Sequence, residues 1–483
     1  MLFNSLEYLI FFPIVVGLYY AFSHKWRWAL LLVASYYFYM CWKPEYIVLI
    51  MASTLVDYYA GLRMGKIKVK SKRKKYLILS IVVNLGILAG FKYFNFFGES
   101  VNLLFNQFNI FYQVPTFQVL LPVGISFYTF QTMSYSIDIY RGITKPEHHL
   151  GKFALFVSFF PQLVAGPIER SNRLLPQIHH RKTFNSQMVI SGLKLMLWGF
   201  YKKVVIADRI GIYVSSVYEN PTEHTGVPVV LATALFAFQL YCDFSAYTDI
   251  ARGSARVMGY DLMVNFNRPL IAKSITDFWQ RWHISLTTWF RDYLFFALPA
   301  KKNNKILNWI LQRNILITYL LMGLWHGANW TFIVFGLIHA FYIIFGSLTK
   351  RYRDNFNQLI GLQKVPAFFN LYSILVTFGL LCFSLFFFRA NSISDSFMLI
   401  SRSLHFGNII ESFLDILKNK EVVFVILNII ILLWAEQIHA RKNLIVMIAN
   451  KPVIIRWSIY LGFIFFILIF GMINQQEFIY FQF

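Results

Sequence analysis

Acidic residues are scarce in this 483-residue sequence: 22 Asp and Glu stand against 45 Lys and Arg, giving a formal net charge of +23. Charged residues of both signs make up only 14% of the chain, where a soluble domain carries about 25%. Cysteine is nearly absent. The 3 present, Cys41, Cys242 and Cys382, each lie inside an apolar run, which excludes a disulfide framework and a Cys-based metal site. No internal repeat is found, which weighs against many transporter folds. There is no nucleophile elbow, no metal-ligand cluster and no phosphate-binding loop. The period-two alternation of a membrane-spanning barrel is missing as well. The N-terminus MLFNSLEYLIFFPIVVGLYYAF lacks a basic leader region and a small-residue cleavage signal, and so reads as a retained first span.

What the chain has is apolar length. It is 57% hydrophobic and 19% aromatic, with mean hydropathy +0.53. Runs near membrane-spanning length recur from end to end, so the expected fold is an all-α polytopic membrane protein in a single domain over 1–483, with about 11 spans. Re-entrant or interfacial helices are expected beside them. The excess Lys and Arg fall largely in short loops between apolar runs, the pattern that fixes cytoplasmic loops. That assigns the charge to topology and anionic lipid headgroups rather than to nucleic acid; it also lets a cytoplasmic surface attract an anionic acyl donor.

Spans are expected at 6–22, 28–42, 46–62, 76–96, 119–140, 187–207, 229–250, 313–347, 366–388, 421–436 and 454–473. The densest basic loop, GLRMGKIKVKSKRKK, is expected in the cytoplasm, which places the N-terminus outside. Residues 97–118, with Glu99 and no Lys or Arg, are expected outside, as are 218–228 and an excursion over 389–420 with an amphipathic helix. FFPQLVAGPIER, 159–170, is apolar but interrupted by Pro161, Gly166 and Pro167. A broken backbone at membrane depth is tolerated only inside protein or along a cavity.

Three stretches carry polar groups where lipid-depth sequence should have none. LMGLWHGANWTFIVFGLIHA, Leu321–Ala340, holds His326 and His339; an intramembrane histidine is costly and marks a functional site by default. Gly323 and Gly327 lie four apart and allow a close helix neighbour beside His326. As one helix, the stretch would hold the two histidines about 20 Å apart and on different faces. DFWQRWHISLTTWFRDY, Asp277–Tyr293, would as a helix pair Asp277 with Arg281 and turn His283 to the opposite, aromatic face. FQLYCDFSAYTDIARGSAR, Phe238–Arg256, brings Asp243 and Asp249 into an apolar segment with Arg252 three residues on. Each has a plainer reading: a packed histidine, an interfacial helix, a structural ion pair. An imidazole suits proton transfer near neutral pH, so the residues alone lead to a membrane protein using a buried histidine as base or relay.

Six segments in this order, LPVGISFYTFQTMSYSIDIYRG, FFPQLVAGPIER, GFYKKVVIADRI, YCDFSAYTDIARG, DFWQRWHISLTTWFRDY and GLWHGANWTFIVFGLIHA, resemble the membrane-bound O-acyltransferase family, in particular its bacterial alginate O-acetylation branch. They define a motif-bearing core over about 120–340, between peripheral spans 1–119 and 341–483. The resemblance implies tilted helices around a central funnel or tunnel, in a multi-pass protein of the bacterial inner membrane. It places the family's invariant histidine on His326 and its second polar position on His283. His326 would act as general base, and His283 would bond the thioester region or the developing oxyanion; Asp277, Arg281, Asp243 and Arg252 would be scaffold. The implied donor is acetyl-CoA, a substrate rather than a bound cofactor, and no metal is implied. The implied partners are an extracytoplasmic SGNH-type protein and a polysaccharide acceptor. A related branch transfers D-alanine to teichoic acids from a carrier protein. Two other classes compete: a glycan or lipid transporter with a histidine relay, and a non-catalytic anchoring subunit.

Overall fold

A computed structural model describes residues 1–117, 121–164, 166–299, 304–442, 444–472 and 478–479. Ala165 of the broken apolar stretch, residues 118–120 where the outer loop meets the next expected span, and residue 473 at the end of the last lie outside the described residues. Among the described residues every regular element is a helix.

The first four helices follow the apolar runs. They are α1 (Leu6–Ala21), α2 (His24–Met40), α3 (Ile47–Lys66) and α4 (Lys70–Leu88). Ser5 starts α1 by accepting the Tyr8 N–H at 3.3 Å. The basic stretch is loop only over 67–69; its start is the end of α3, and Lys70–Lys75 form the opening of α4. Helix α4 then passes through a π turn, Ala89–Tyr93, into α5 (Phe94–Gln107). The expected outer loop 97–118 is therefore helical as far as Gln107. The π turn keeps the backbone bonded, so the helix continues past the point where hydropathy falls at Glu99.

Helix α6 (Ile125–Arg141) lies between two left-handed glycines, Gly124 at φ 73° and Gly142 at φ 80°. A Cβ on Gly124 would stand 2.5 Å from the Leu163 carbonyl oxygen, so only glycine fits there. The helix is buried along its length and packs on α3 and α4. Its polar residues are therefore interior: Ser136, with Ser80 and the Asn84 amide (2.6 Å), donates to buried Asp57. Helices α7 (Leu150–Ser158), α8 (Phe160–Leu163) and α9 (Ser171–His179) form the broken segment. Phe159, Phe160, Leu163 and Ile168 are all buried in protein, as a broken backbone at this depth requires.

Helix α10 (Ser186–Phe200) runs through a second π turn, Tyr201–Ala207, into α11 (Asp208–Tyr218). It packs along α12 (Val227–Val257), with glycine on both sides of the crossing. A Cβ on Gly192 would meet the Gly253 carbonyl oxygen at 2.6 Å, and the reverse holds for Gly253. Two short helices follow, α13 (Ile275–Arg281) and α14 (Ile284–Trp289), then α15 (Asn304–His326) and α16 (Trp330–Leu348). The remainder is α17 (Lys350–Leu359), α18 (Pro366–Arg389), α19 (Ile393–Ser403), α20 (Ile409–Lys418), α21 (Lys420–Lys442), α22 (Leu444–Ala449) and α23 (Val453–Phe470). Among the described residues 7 continuous helical stretches are long and apolar enough to cross a membrane, from Pro44–Lys66 to Val453–Phe470. Helix α23 has no buried residue and is apolar all round, a surface that lipid covers. The more polar α6 and the shorter α1 and α2 pack in the same bundle.

Two expectations are corrected here. Residues 277–293 are not one helix, because the chain breaks at Trp282–His283. Residues 321–340 are not one helix either: α15 stops at His326 and α16 starts at Trp330, after Asn329 caps it by accepting the Thr331 N–H at 3.0 Å. The two helices fold back on each other through glycine. A Cβ on Gly323 would lie 2.3 Å from the Phe332 carbonyl oxygen, and one on Gly336 would lie 2.3 Å from that of Tyr319.

Candidate active site

His326 is the last residue of α15 and is 3% exposed. Its ring meets three aromatic edges: Trp325 at 5.0 Å, Phe388 at 5.2 Å and Phe335 at 5.8 Å between centroids. It lines two spaces. One is a cavity of about 140 Å³, walled by Lys92, the 121–127 turn, Trp325 and Phe478 among others. The other is an apolar chamber of about 20 Å³, between Leu240, Phe278, Trp282, Phe335 and Phe388. The imidazole thus stands between the two.

His283 is fully buried, and its backbone takes the left-handed conformation at φ 42°. A non-glycine residue there is held by its surroundings. Asn265 does the holding. Its carbonyl accepts the Ile284 N–H at 2.9 Å. Its Oδ1 accepts the Ser285 N–H at 3.1 Å and the Ser285 hydroxyl at 2.8 Å, and faces His283 Nδ1 at 3.3 Å. Because a backbone N–H donates to that amide atom, it is oxygen and accepts. The neutral ring therefore carries its proton on Nδ1, and Nε2 presents a lone pair. Nε2 has no hydrogen-bond partner among the described residues.

The structure brings His326 and His283 against one indole, that of Trp325. His283 lies 5.6 Å from the Trp325 ring and His326 lies 5.0 Å from it. Phe130 stacks 4.0 Å from Trp289 and 6.2 Å from Trp325, and Trp289 donates to the Phe130 carbonyl at 2.8 Å, so that indole is braced. The two rings do not line one cavity: Phe127 and Trp325 stand between His283 and the 140 Å³ space.

His339 is not 20 Å from His326, since the hairpin returns it to the same aromatic cluster; both rings contact Phe335, at 4.5 and 5.8 Å. Its nitrogens are both engaged. Nδ1 accepts from Trp279 Nε1 at 3.2 Å, and Nε2 donates to Ser384 Oγ at 3.0 Å, whose own proton goes to the Leu381 carbonyl. That is a packed, satisfied histidine.

The scaffold residues are where the sequence placed them, with two partners it did not name. Arg281 bonds Asp277 at 2.6 Å, and Arg252 lies 3.5 Å from Asp249. Asp243, however, pairs with Lys203 at 2.8 Å, and Lys203 also reaches Asp208 at 2.8 Å. Lys202 bonds Asp249 at 2.7 Å. Both lysines sit in the π turn Tyr201–Ala207, where the wider backbone ring aims consecutive side chains inward. The available signal was a Lys pair inside an apolar run, facing a segment with two carboxylates. Asp243 also accepts the Ile479 N–H at 2.8 Å, which seats Phe478 in the wall of the His326 cavity.

A wider cavity of about 830 Å³ opens between α10, α12, α21 and α23. Lys194, Lys202, Arg252, Arg268 and His439 line it with the carboxylates of Asp249 and Glu436, and Phe266 separates it from His283. Among the described residues no group of three His, Cys, Asp or Glu is placed to hold a metal.

The polytopic helical bundle defines a membrane protein, and sequence comparison gives its class. Residues 46–388 match the membrane-bound O-acyltransferase family, and the chain belongs to it. It is 39% identical over 411 residues to the probable alginate O-acetylase AlgI of Pseudomonas aeruginosa, covering 84% of this chain and 75% of that one. It is 31% identical over 393 residues to the peptidoglycan O-acetyltransferase of Helicobacter pylori, covering 76% and 71%. It is 30% identical over 280 residues to the teichoic acid D-alanyltransferase of Bacillus subtilis, covering 57% and 70%. The chain is a multi-pass membrane protein and an acyltransferase.

Proposed function

We propose that this enzyme moves an acetyl group from cytoplasmic acetyl-CoA across the inner membrane of a bacterium to hydroxyls of an extracellular or cell-surface polysaccharide, with an extracytoplasmic SGNH-type partner completing the transfer. The observation that carries it is the position of His326 between an outer cavity and an inner apolar chamber. A group there can meet a donor from one side and an acceptor from the other. The lysines and arginines around the 830 Å³ cavity suit the phosphates of a CoA donor. The apolar chamber suits the methyl of an acetyl group; among the described residues its lining has no carboxylate for the ammonium of a D-alanyl group.

In the reaction, an acceptor O–H in the outer cavity gives its proton to His326 as its oxygen attacks the thioester carbonyl. The tetrahedral intermediate collapses, the carbon–sulfur bond breaks, and the thiolate recovers the proton from the imidazolium. His283 binds the thioester region: its Nε2 lone pair accepts from an N–H of the pantetheine arm, which enters from the 830 Å³ cavity past Phe266. Stabilising an oxyanion would instead need a second proton on that ring.

Purified protein given acetyl-CoA, the extracytoplasmic partner and an oligosaccharide acceptor tests this. Wild type should release CoA and acetylate the acceptor. His326→Gln should lose ~10²–10⁴-fold in rate while keeping its melting temperature, because an amide keeps a hydrogen bond but takes no proton. An active His326→Gln variant removes the base role.

A further inference from the structure

The helix that carries His326 is held at its end by a segment far away in the sequence. The last carbonyls of a helix lack intrahelical donors. Here the chain leaves α15 through Gly327 and Ala328, and Asn329 is committed to capping α16 instead. The missing donors come from a segment more than 230 residues away. Lys92 Nζ donates to the Trp325 carbonyl at 2.6 Å and the His326 carbonyl at 3.3 Å. Tyr93 Oη donates to the Leu324 carbonyl at 2.9 Å. Three consecutive carbonyls of the final turn are thus held by two consecutive side chains. Neighbouring residues on a helix point about 100° apart, and both of these lie in the π turn Ala89–Tyr93, an irregularity that changes how side chains are aimed. The ammonium also sits at a helix C-terminus, where a positive charge is stabilised.

We propose that Lys92 and Tyr93 are positioning residues for His326: the π turn clamps the end of α15 and fixes the imidazole between its two cavities. The proposal rests on His326 as the base. Lys92 lines the outer cavity with His326, and it is the lysine among the described residues of that wall. Its Nζ bonds two of the carbonyls, and the same side chain lines the cavity. The clamp thereby ties the position of the base to the space where the acceptor oxygen must lie. Displacing a reacting group by 1 Å costs on the order of 100-fold in rate, so a clamp of this kind acts on turnover rather than on donor affinity.

The test compares full-length wild type with Lys92→Met, Lys92→Arg and Tyr93→Phe in proteoliposomes, reading kcat, KM for acetyl-CoA and melting temperature. Lys92→Met keeps the stem and removes both bonds; kcat should fall ~100-fold while KM stays within about twofold. Lys92→Arg keeps charge and donors and should recover part of that loss. Tyr93→Phe removes one hydroxyl without changing shape and should cost roughly 3–10-fold in kcat, which keeps the clamp testable if Lys92→Met fails to fold. Wild-type kcat in both Lys92→Met and Tyr93→Phe would overturn the proposal. So would a lower melting temperature with unchanged kcat per folded molecule. His326→Gln, run alongside, separates the two readings. If it is active, the base assignment fails whatever Lys92 does; if it is dead while Lys92→Met is fast, the clamp alone fails.

Discussion

At the scale of single residues, hydrogen bonds sort three buried histidines that look alike in the sequence. His339 has both nitrogens committed, to Trp279 and to Ser384. His283 has one committed, to Asn265, and one turned toward the aromatic wall. His326 stands at the boundary of two cavities. Chemistry and packing therefore separate by site, and a pair of substitutions should show it. His339→Ala removes a filled, bonded ring and leaves the Trp279 N–H without its acceptor. It should cost about 2–4 kcal/mol in unfolding free energy through the cavity and the lost bonds, while kcat per folded molecule stays near wild type. His326→Gln should do the reverse. Thermal denaturation in detergent, set beside an acetyl-transfer assay on the same samples, reads both. Equal losses of stability and rate in the two variants would show that the distinction drawn from the hydrogen bonds is wrong.

At the scale of elements, the sequence and the structure part where helices break. Hydropathy runs unbroken through Leu321–Ala340, so the stretch reads as one span. The local signal against that was Gly327 followed by Asn329 and Thr331, a helix stop and a helix start in five residues. The break at Trp282–His283 has no Gly or Pro to announce it. It is made by tertiary structure, because Asn265 takes the N–H groups of Ile284 and Ser285 that a continuous helix would have used. The π turns were illegible for a related reason: they keep the helical hydropathy pattern and change only where side chains point. By contrast the α6 sequence carries its own signal: Thr129, Gln131, Ser134 and Asp138 are too polar for lipid, and burial against α3 and α4 resolves that. The hairpin gives this scale its prediction. Gly323→Ala would push a methyl group into the Phe332 carbonyl, backbone that cannot rotate away. The variant should lose about 1–3 kcal/mol of stability through overpacking, and transfer should fall further, because the α15–α16 turn that holds His326 must open. Gly379→Ala, at a position with nothing within 4 Å of its Cβ, is the control and should match wild type. A Gly323→Ala variant with unchanged melting temperature and activity would mean that the hairpin is looser than the packing implies.

At the scale of the whole molecule, the distribution of charge orients the machinery. Residues 97–117 contain Glu99 and no Lys or Arg, while the run from Lys66 to Lys75 contains seven basic residues. Short loops rich in Lys and Arg stay in the cytoplasm. Helices α3 to α5 then fix the sides. On that rule Lys70 is expected to start α4 at the cytoplasmic face, and the π turn with Lys92, Trp42 just after α2 and the start of α6 are expected at the other, where the 140 Å³ cavity lies. Arg252, late in α12, belongs to the cytoplasmic end, beside the 830 Å³ cavity. Cysteine labelling tests this on one set of variants. The exposed Cys41 is first replaced by serine, then Lys70 or Gln113, both exposed, is replaced by cysteine. An impermeant maleimide should label Gln113→Cys in intact cells and Lys70→Cys only after permeabilisation. Labelling of position 70 from outside would invert the chain. The basic cavity would then face a medium that contains no acetyl-CoA, and the donor reading would fail with the topology.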